Sequence, residues 1–258
     1  MLCFSRMMPR FFLDTPLALP AGTLFDVPTN VAQHMQVLRL RPGDTVTLFD
    51  GQGGETPAIV QEIGKRNASV TLGEHLAREA EPPYHITLIQ GIAGGDKMDW
   101  LLEKAVELGI AACQPLQTER SLVRLQGERA TRREAHWLAL ARAACEQCGR
   151  NRVPDILPIR TWREWSAAPL NLPATAPTLL LSPRGNTRLT AWASAQQATI
   201  RTHGVRLLIG PEGGLSPEEE QQAMALGAIP VTLGPRVLRT ETAGLAALAA
   251  LHAALGEF

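Results

Sequence analysis

Two kinds of hydrophobic periodicity divide the chain into an N-terminal and a C-terminal part. In the first part, short apolar runs alternate with turn-forming residues, which is typical of strands joined by tight turns. The predicted strands are Thr45–Phe49, Ala58–Ile63 and Ala68–Leu72. The pattern predicts a small β-barrel over residues 1–75, of the kind that often docks RNA, and a purely structural barrel fits it equally well.

A charged stretch that contains prolines follows, and residues 76–84 are expected to form a linker. Strands and helices then alternate, which is the pattern of an α/β domain with a mostly parallel sheet, predicted here over residues 85–258. The predicted elements are strands His85–Gln90, Thr178–Leu181, Val205–Gly210 and Pro230–Leu233 and helices Asp96–Leu108 and Glu128–Gln147.

Composition narrows the class of protein. Hydrophobic residues make up 45% of the chain and charged residues 19%, which excludes long disorder and fibrous repeats. No apolar run reaches the roughly 20 residues that cross a bilayer, and the N-terminus lacks the apolar core of a secretory signal, so we expect a cytoplasmic location. Four cysteines are too few for a disulfide scaffold and are expected to be reduced.

The charge distribution is more informative than the net charge of zero, which alone would argue against nucleic-acid binding. Ten arginines and no lysine lie between Arg120 and Arg163. Guanidinium groups grip phosphates bidentately and stack on bases, so this cluster favours RNA. A general bias of the chain towards arginine is the alternative explanation.

Two loops are placed where ligands bind in α/β sheets, at the carboxyl ends of strands. In the first, Gly210–Gly214, the sequence GPEGG precedes a helix with Ser216 as N-cap and Glu219 in a capping box. Because Glu212 and three glutamates of the first helical turn would repel phosphate, the loop favours a ligand without phosphates, such as an adenosine with a positive sulfonium. A glycine-rich turn without function fits equally well.

The second loop, residues 234–242, is long and carries two arginines and a glutamate, which is typical of functional loops. In a purely structural alternative, Thr240 caps the last helix and Glu241 complements its dipole.

The strings VRLLIGPEGGLSPEE and TLGPRVLRTETA resemble the ribosomal RNA small subunit methyltransferase E family, of the SPOUT class. The likeness extends to MPRFF, to the His34–Arg39 run, to the helix at 97–109 and to residues 146–154. Residues 1–7 precede the usual start of the family, which makes Met8 a candidate initiator.

The resemblance implies a PUA-like N-terminal barrel, a C-terminal domain with a deep trefoil knot, and a homodimer. The implied reaction transfers a methyl group from S-adenosylmethionine to N3 of one uridine in the decoding region of 16S rRNA, on the assembled 30S subunit. It needs no metal, because the methyl group is already activated. The implied cofactor-binding residues are Leu181, Ser182, Gly210, Pro211, Glu212, Gly213, Gly214, Leu233, Gly234, Val237, Leu238, Arg239 and Thr240.

Within this reaction, Arg239 is the candidate that stabilises negative charge on the uracil oxygens, and Glu241 or Glu146 is the candidate base. A structural ion pair of Arg239 with a glutamate is the alternative. The candidate RNA contacts are Arg10, His34, Arg39, Arg150 and Arg152, each of which could instead form a salt bridge.

Other signals and hypotheses carry less weight. Cys145-x-x-Cys148 lacks a second ligand pair, and the glycines at 91–95 lack the dinucleotide-binding pattern. The competing hypotheses are a knotted methyltransferase acting on transfer RNA, a non-enzymatic RNA-binding factor and, least favoured, a nucleotide-dependent enzyme.

Overall fold

A computed structural model describes residues 8–168 and 175–258, so residues 1–7, with Cys3 and the segment before Met8, lie outside the described part. The chain divides into two compact units. Unit 1 comprises residues 1–81 and 142–153, and unit 2 comprises residues 82–141 and 154–258. Residues 76–81 of the predicted linker therefore belong to unit 1, as does the segment 142–153. The predicted domain limits, 1–75 and 85–258, stay a prediction.

Unit 1 is built on a five-stranded sheet in the order β1-β3-β4-β5-β2. Strand β1 is parallel to β3, and the other neighbours are antiparallel. The elements are β1 (Arg10–Phe12), β2 (Leu24–Asp26), α1 (Thr29–Val37), β3 (Thr45–Phe49), β4 (Thr56–Ile63) and β5 (Ala68–Leu72). The three strands predicted from the alternation are confirmed, with β4 starting two residues earlier than predicted.

Unit 2 contains an eight-stranded parallel sheet, in the order β11-β13-β10-β12-β6-β7-β8 with β9 also paired to β7. Its strands are β6 (Ile86–Gly91), β7 (Ala112–Gln117), β8 (Asp155–Ile156), β9 (Arg160–Thr161), β10 (Thr178–Leu181), β11 (Thr187–Arg188), β12 (Val205–Ile209) and β13 (Ile229–Thr232). Its helices are α2 (Lys97–Glu107), α3 (Glu128–Cys148, whose last residues count with unit 1), α4 (Trp162–Ala167), α5 (Leu189–Ala195), α6 (Gln197–His203), α7 (Pro217–Ala225) and α8 (Thr240–Leu255).

The predicted fold class, a mostly parallel α/β domain beside a small β-rich domain, is confirmed. Central strands such as β6 and β12 are apolar on both faces because helices cover the sheet, and their side chains form the core of unit 2. Helix α2 buries Met98, Leu101, Leu102 and Ala105 on one face, as the periodicity predicts. No helix in the described residues combines the length and the apolarity that a bilayer span needs.

Strand β7 was not predicted, because its sequence ACQPLQ interrupts the apolar run with two glutamines and a proline. Inside the fold the glutamines satisfy carbonyls that lie next to them. The amide of Gln114 donates to the carbonyls of Pro115 and Pro158 at 2.9 and 2.7 Å, and that of Gln117 donates to Leu125 at 2.9 Å. Because their amides have these hydrogen-bond partners, the two glutamines can be buried in the strand.

Candidate functional site

Three segments at the carboxyl ends of β10, β12 and β13 enclose a cavity of about 280 Å³ in unit 2. This edge of a parallel sheet is where the fold leaves room for a ligand. The lining residues are Leu181, Ser182, Pro183, Ile209, Gly210, Pro211, Glu212, Gly213, Gly214, Leu215, Glu220, Val231, Thr232, Leu233, Gly234, Arg236, Val237, Leu238, Thr240 and Ala243. The volume lies near the lower end of the roughly 300–1,000 Å³ typical of small-molecule sites.

The GPEGG loop is held against β6 by close backbone packing. A Cβ added at Gly91, the last residue of β6, would lie 2.4 Å from the Pro211 nitrogen, so this position requires glycine. Beyond the loop, Ser216 caps α7, and its hydroxyl accepts from the Glu219 amide while the Glu219 carboxylate accepts from the Ser216 amide. The capping box predicted from the sequence is confirmed.

Thr240 connects the two loops, and its predicted role as a helix cap is wrong. The N-cap of α8 is Arg239, which makes no side-chain capping bond. The buried Thr240 hydroxyl instead donates to the Gly210 carbonyl at 2.6 Å and accepts from the Gln90 amide at 2.8 Å. Because its oxygen is used in this way, it fixes the start of α8 to the GPEGG loop.

The glutamates around the GPEGG loop are engaged by donors. Glu212 accepts from the Gly94 amide and from Lys97, both at 3.0 Å. Burial is the largest single influence on the pKa of Glu212 and raises it, but the Gly94 amide, Lys97 and the amide of Glu212 itself together lower it more, so the net shift is downward. Glu220 pairs with Arg184 at 2.7 Å, and Glu219 accepts from the Glu119 amide at 2.8 Å. The site is therefore less repulsive to anions than the count of carboxylates predicts.

The structure brings the predicted cofactor residues together. Twelve of the thirteen line the cavity, and the exception is Arg239, which lies between the lining residues Leu238 and Thr240. The Arg239 side chain is exposed, and in the described part of the chain it makes no hydrogen bond or ion pair. The alternative of an ion pair with Glu241 is thus not observed. Sequence reasoning missed Arg236, which lines the same cavity.

Glu241 and Glu146, the two candidate bases, occupy different units. Glu241 lies in the first turn of α8, and its buried Oε2 has no hydrogen-bond partner among the described residues. Glu146 belongs to unit 1, where it accepts from the Phe12 amide at 2.8 Å and lies 4.0 Å from the His34 ring nitrogen. Burial raises the pKa of Glu146, against the lowering effect of the Phe12 amide.

Two of the residues predicted to contact RNA form buried ion pairs within unit 1 instead. Arg10 donates to Glu55 and to Asn151, both at 2.5 Å, and its side chain is 7% exposed. Arg150 is 4% exposed and contacts both carboxylate oxygens of Glu81. Since neither guanidinium reaches solvent, the structure assigns these arginines to the stability of unit 1 and argues against direct contact with RNA.

The other three predicted RNA contacts are accessible. Arg152 is 56% exposed beside Glu79, and His34 is 46% exposed. Arg39 is exposed and follows α1 in the left-handed region, with φ of 56°, which is unusual for a residue other than glycine. The amides of Arg39 and Leu40 donate to the carbonyls of Gln36 and Met35, so Arg39 holds the position that glycine usually fills at a helix end.

Cys113 and Cys145 are buried free thiols that pack in the interior. Burial raises the pKa of the Cys113 and Cys145 thiols to about 12, so neither is a reactive thiolate. Among the described residues, no three His, Cys, Asp or Glu side chains are grouped to hold a metal ion.

Comparison with protein families defines the class of the molecule. The family model described as RNA methyltransferase domain matches residues 80–252, and that described as RNA methyltransferase PUA domain matches residues 27–73. The chain therefore combines an RNA methyltransferase domain with an N-terminal PUA domain.

Individual relatives identify the family. The crystal structure of the ribosomal RNA small subunit methyltransferase E from Neisseria gonorrhoeae bound to S-adenosyl methionine is 41% identical, with a TM-score of 0.84 over 95% of this chain and 97% of that one. The proteins of that name from Mycobacterium tuberculosis and Bacillus subtilis are 30% and 27% identical over 93% and 95% of this chain and 90% and 96% of their own. The chain belongs to the ribosomal RNA small subunit methyltransferase E family, as its motifs predict.

Proposed function

We propose that the chain transfers a methyl group from S-adenosylmethionine to N3 of one uridine in the decoding region of 16S rRNA, on the assembled 30S subunit in the cytoplasm. The observation that carries the proposal is the cavity built by the three segments that hold the family motifs. The Neisseria gonorrhoeae relative, crystallised with S-adenosyl methionine, supports the choice of donor.

The cavity has the chemistry that this donor requires. Leu181, Ile209, Leu233 and Leu238 offer apolar surface to a purine ring, and the loop backbones offer amides and carbonyls. Glu220 also lines the cavity, where its carboxylate is paired with Arg184 at 2.7 Å. We assign donor binding to the twelve predicted lining residues, with Arg239 beside them.

The bound donor supplies a methyl group that is already activated by its positive sulfur. The protein then has to hold the uracil N3 in line with that group and help to remove its weakly acidic imide proton. Arg239 is exposed next to the cavity and has no partner among residues 8–168 and 175–258, so its guanidinium is available to bond the uracil oxygens. Such charge-assisted bonds strengthen as negative charge develops on the ring.

The proton acceptor is one of two glutamates. Glu241 has a buried carboxylate oxygen with no hydrogen-bond partner in the part of the chain that the structure describes, and it lies two residues from Arg239, which favours it. Glu146 has a raised pKa, as a base that works near neutral pH requires. A pH–rate profile of kcat distinguishes the two glutamates when Glu241→Gln and Glu146→Gln are each compared with the wild type. Loss of the base removes the fall in kcat that the wild type shows at acidic pH.

Recognition of RNA by unit 1 is assigned to Arg39, Arg152 and His34, whose side chains are accessible. Arg10 and Arg150 would contribute by holding the 149–153 segment in place. Family membership also leads us to expect a trefoil knot in unit 2 and a homodimer in solution.

The test is to map methylated nucleotides of 16S rRNA by mass spectrometry in a deletion strain and after complementation. The proposal predicts that N3-methyluridine is absent at one decoding-region position and returns with the intact gene. Return of a methyl group to transfer RNA instead would overturn it. Calorimetry with S-adenosylmethionine is the matching control, because a chain that binds RNA without the donor is not this enzyme.

A further inference from the structure

A second cavity, of about 240 Å³, adjoins the proposed donor cavity in unit 2. Thr232, Leu233, Gly234 and Arg236 line both, so this segment forms a shared wall. The other lining residues of the second cavity are Arg188, Leu189, Thr190, Pro235 and Ala250.

Two arginines give this cavity its charge. The parallel register of β11 and β13 places Arg188 opposite Thr232, and Arg236 follows four residues after Thr232. Both side chains are exposed, and within residues 8–168 and 175–258 neither guanidinium makes a hydrogen bond or an ion pair. Among the described residues, the lining of this cavity includes no Asp or Glu.

The neighbouring arginines of unit 2 are different. Arg184 is bonded to Glu220 at 2.7 Å, and Arg201 lies 3.5 Å from Glu257. Two uncompensated guanidinium groups around one recess attract an anion, and their forked donors match the oxygens of a phosphate. The hydroxyl of Thr190 adds a neutral donor to the same lining.

We propose that the second cavity binds a phosphodiester of the RNA substrate through Arg188 and Arg236. The inference rests on the proposed function and deepens it, because it names a contact between unit 2 and the RNA backbone. A phosphate in the second cavity would be separated from the donor cavity by the segment 232–236, which lines both. It would therefore fix the backbone of the target strand near the methyl group, a positioning role distinct from that of Arg239.

The experiment compares Arg188→Ala with Lys104→Ala in the full-length protein. Lys104 lies outside the arginine cluster at 120–163 and is already paired with Glu103 and Glu107, both at 2.7 Å, so its loss changes the net charge equally without altering either cavity. Affinity for 30S subunits is measured across a salt series, and affinity for S-adenosylmethionine is measured separately by calorimetry. Arg188 lines the second cavity and not the donor cavity, so its variant leaves the lining of the donor cavity unchanged.

Arg188→Ala should weaken binding to 30S subunits about tenfold or more, as expected for a lost charged hydrogen bond, and leave donor affinity unchanged. The slope of log affinity against log salt should become shallower by about 0.7 to 0.9, the effect of one phosphate contact. Lys104→Ala should change neither the 30S affinity nor the salt slope. Arg188→Ala and Arg236→Ala combined should cost less than the sum of the two, because both grip one phosphate.

Unchanged 30S affinity and salt slope in Arg188→Ala would overturn the proposal. So would weaker binding of S-adenosylmethionine with RNA binding intact, since the cavity would then hold the carboxylate of the donor. Failure of the proposed function looks different: the wild type would bind 30S subunits with the predicted salt slope but would transfer no methyl group to them.

Discussion

The molecule contains two groups of arginines, one in each unit, whose environments differ. In unit 1, Arg10 and Arg150 are buried against Glu55 and Glu81. In unit 2, Arg236 and Arg239 lie exposed on the loop after β13 without a partner among the described residues. A desolvated guanidinium needs a fixed counter-charge, whereas an exposed and unpaired one can bind an incoming anion. The comparison separates arginines that stabilise the fold from those available to RNA.

The largest expected effect is on the buried group. Glu55→Gln should lower the free energy of unfolding by about 3 kcal/mol, because it leaves the buried Arg10 without its counter-charge. Urea denaturation of the full chain measures this. Glu62→Gln, on the exposed side of β4, is the control and should be neutral. Equal free energies of unfolding for the two variants would show that the buried Arg10 of unit 1 does not need Glu55 as a counter-charge.

In unit 2, the positions of the two loops that line the donor cavity depend on Thr240. Thr240→Val keeps the shape of the side chain but removes the bonds to Gly210 and Gln90. We expect unfolding to become easier by about 2 kcal/mol and donor affinity to fall, since Gly210 loses its anchor. Thr242→Val, exposed on the same helix, should behave as the wild type in both measurements. A Thr240→Val protein with normal donor affinity would show that the loop does not need this anchor.

Buried and exposed histidines extend the comparison to pH. His252 is buried, with its ring nitrogens 2.7 Å from the Tyr84 hydroxyl and 2.6 Å from the Leu108 carbonyl. Burial lowers the pKa of His252, and the Leu108 carbonyl raises it by less. Its neutral form is thus favoured on folding, so the contribution to stability is full above about pH 6.5 and is lost as the pH falls towards the folded pKa.

Denaturation between pH 7.5 and 5 tests this linkage. His252→Gln should flatten the loss of stability on acidification over this range, whereas His85→Gln at an exposed position should not. An identical slope in all three proteins would mean that other groups control acid stability.

The smallest effect has the opposite sign. Arg39→Gly should raise the free energy of unfolding by about 1 kcal/mol, because glycine adopts φ of 56° without strain. If Arg39 contacts a phosphate, the same variant should bind 30S subunits more weakly and show a shallower salt slope. Arg41→Gly, exposed nearby, controls for the loss of charge. A more stable protein with undiminished RNA affinity would remove Arg39 from the RNA-binding set.

Local signals predicted much of the fold and of the cavity. The mainly apolar strands β10, β12 and β13 and the capping box of Ser216 could be predicted because each depends on residues near in sequence. The donor loops were found because their glycines and charges form a compact motif that resembles a family. Strand β1 was missed because its three residues are stabilised by pairing with β3, more than thirty residues away.

The roles of the arginines could not be predicted, because their partners are distant in sequence. Arg10 and Glu55 are 45 residues apart, and Arg150 and Glu81 are 69 apart. Periodicity carries no information on such pairs. The role of Thr240 could not be predicted for the same reason, because its partners Gln90 and Gly210 are 150 and 30 residues away in sequence.

The most direct test is to measure kcat for methyl transfer to 30S subunits, per mole of folded enzyme, in Arg239→Ala and Arg150→Ala, with the free energy of unfolding of each. Arg239→Ala should lose about a hundredfold in kcat while its stability stays within about 0.5 kcal/mol of the wild type. Arg150→Ala should lose about 3 kcal/mol of stability and retain kcat when folded. Full methyl transfer by Arg239→Ala, or a stable Arg150→Ala protein with kcat reduced a hundredfold, would contradict the division into structural and functional arginines.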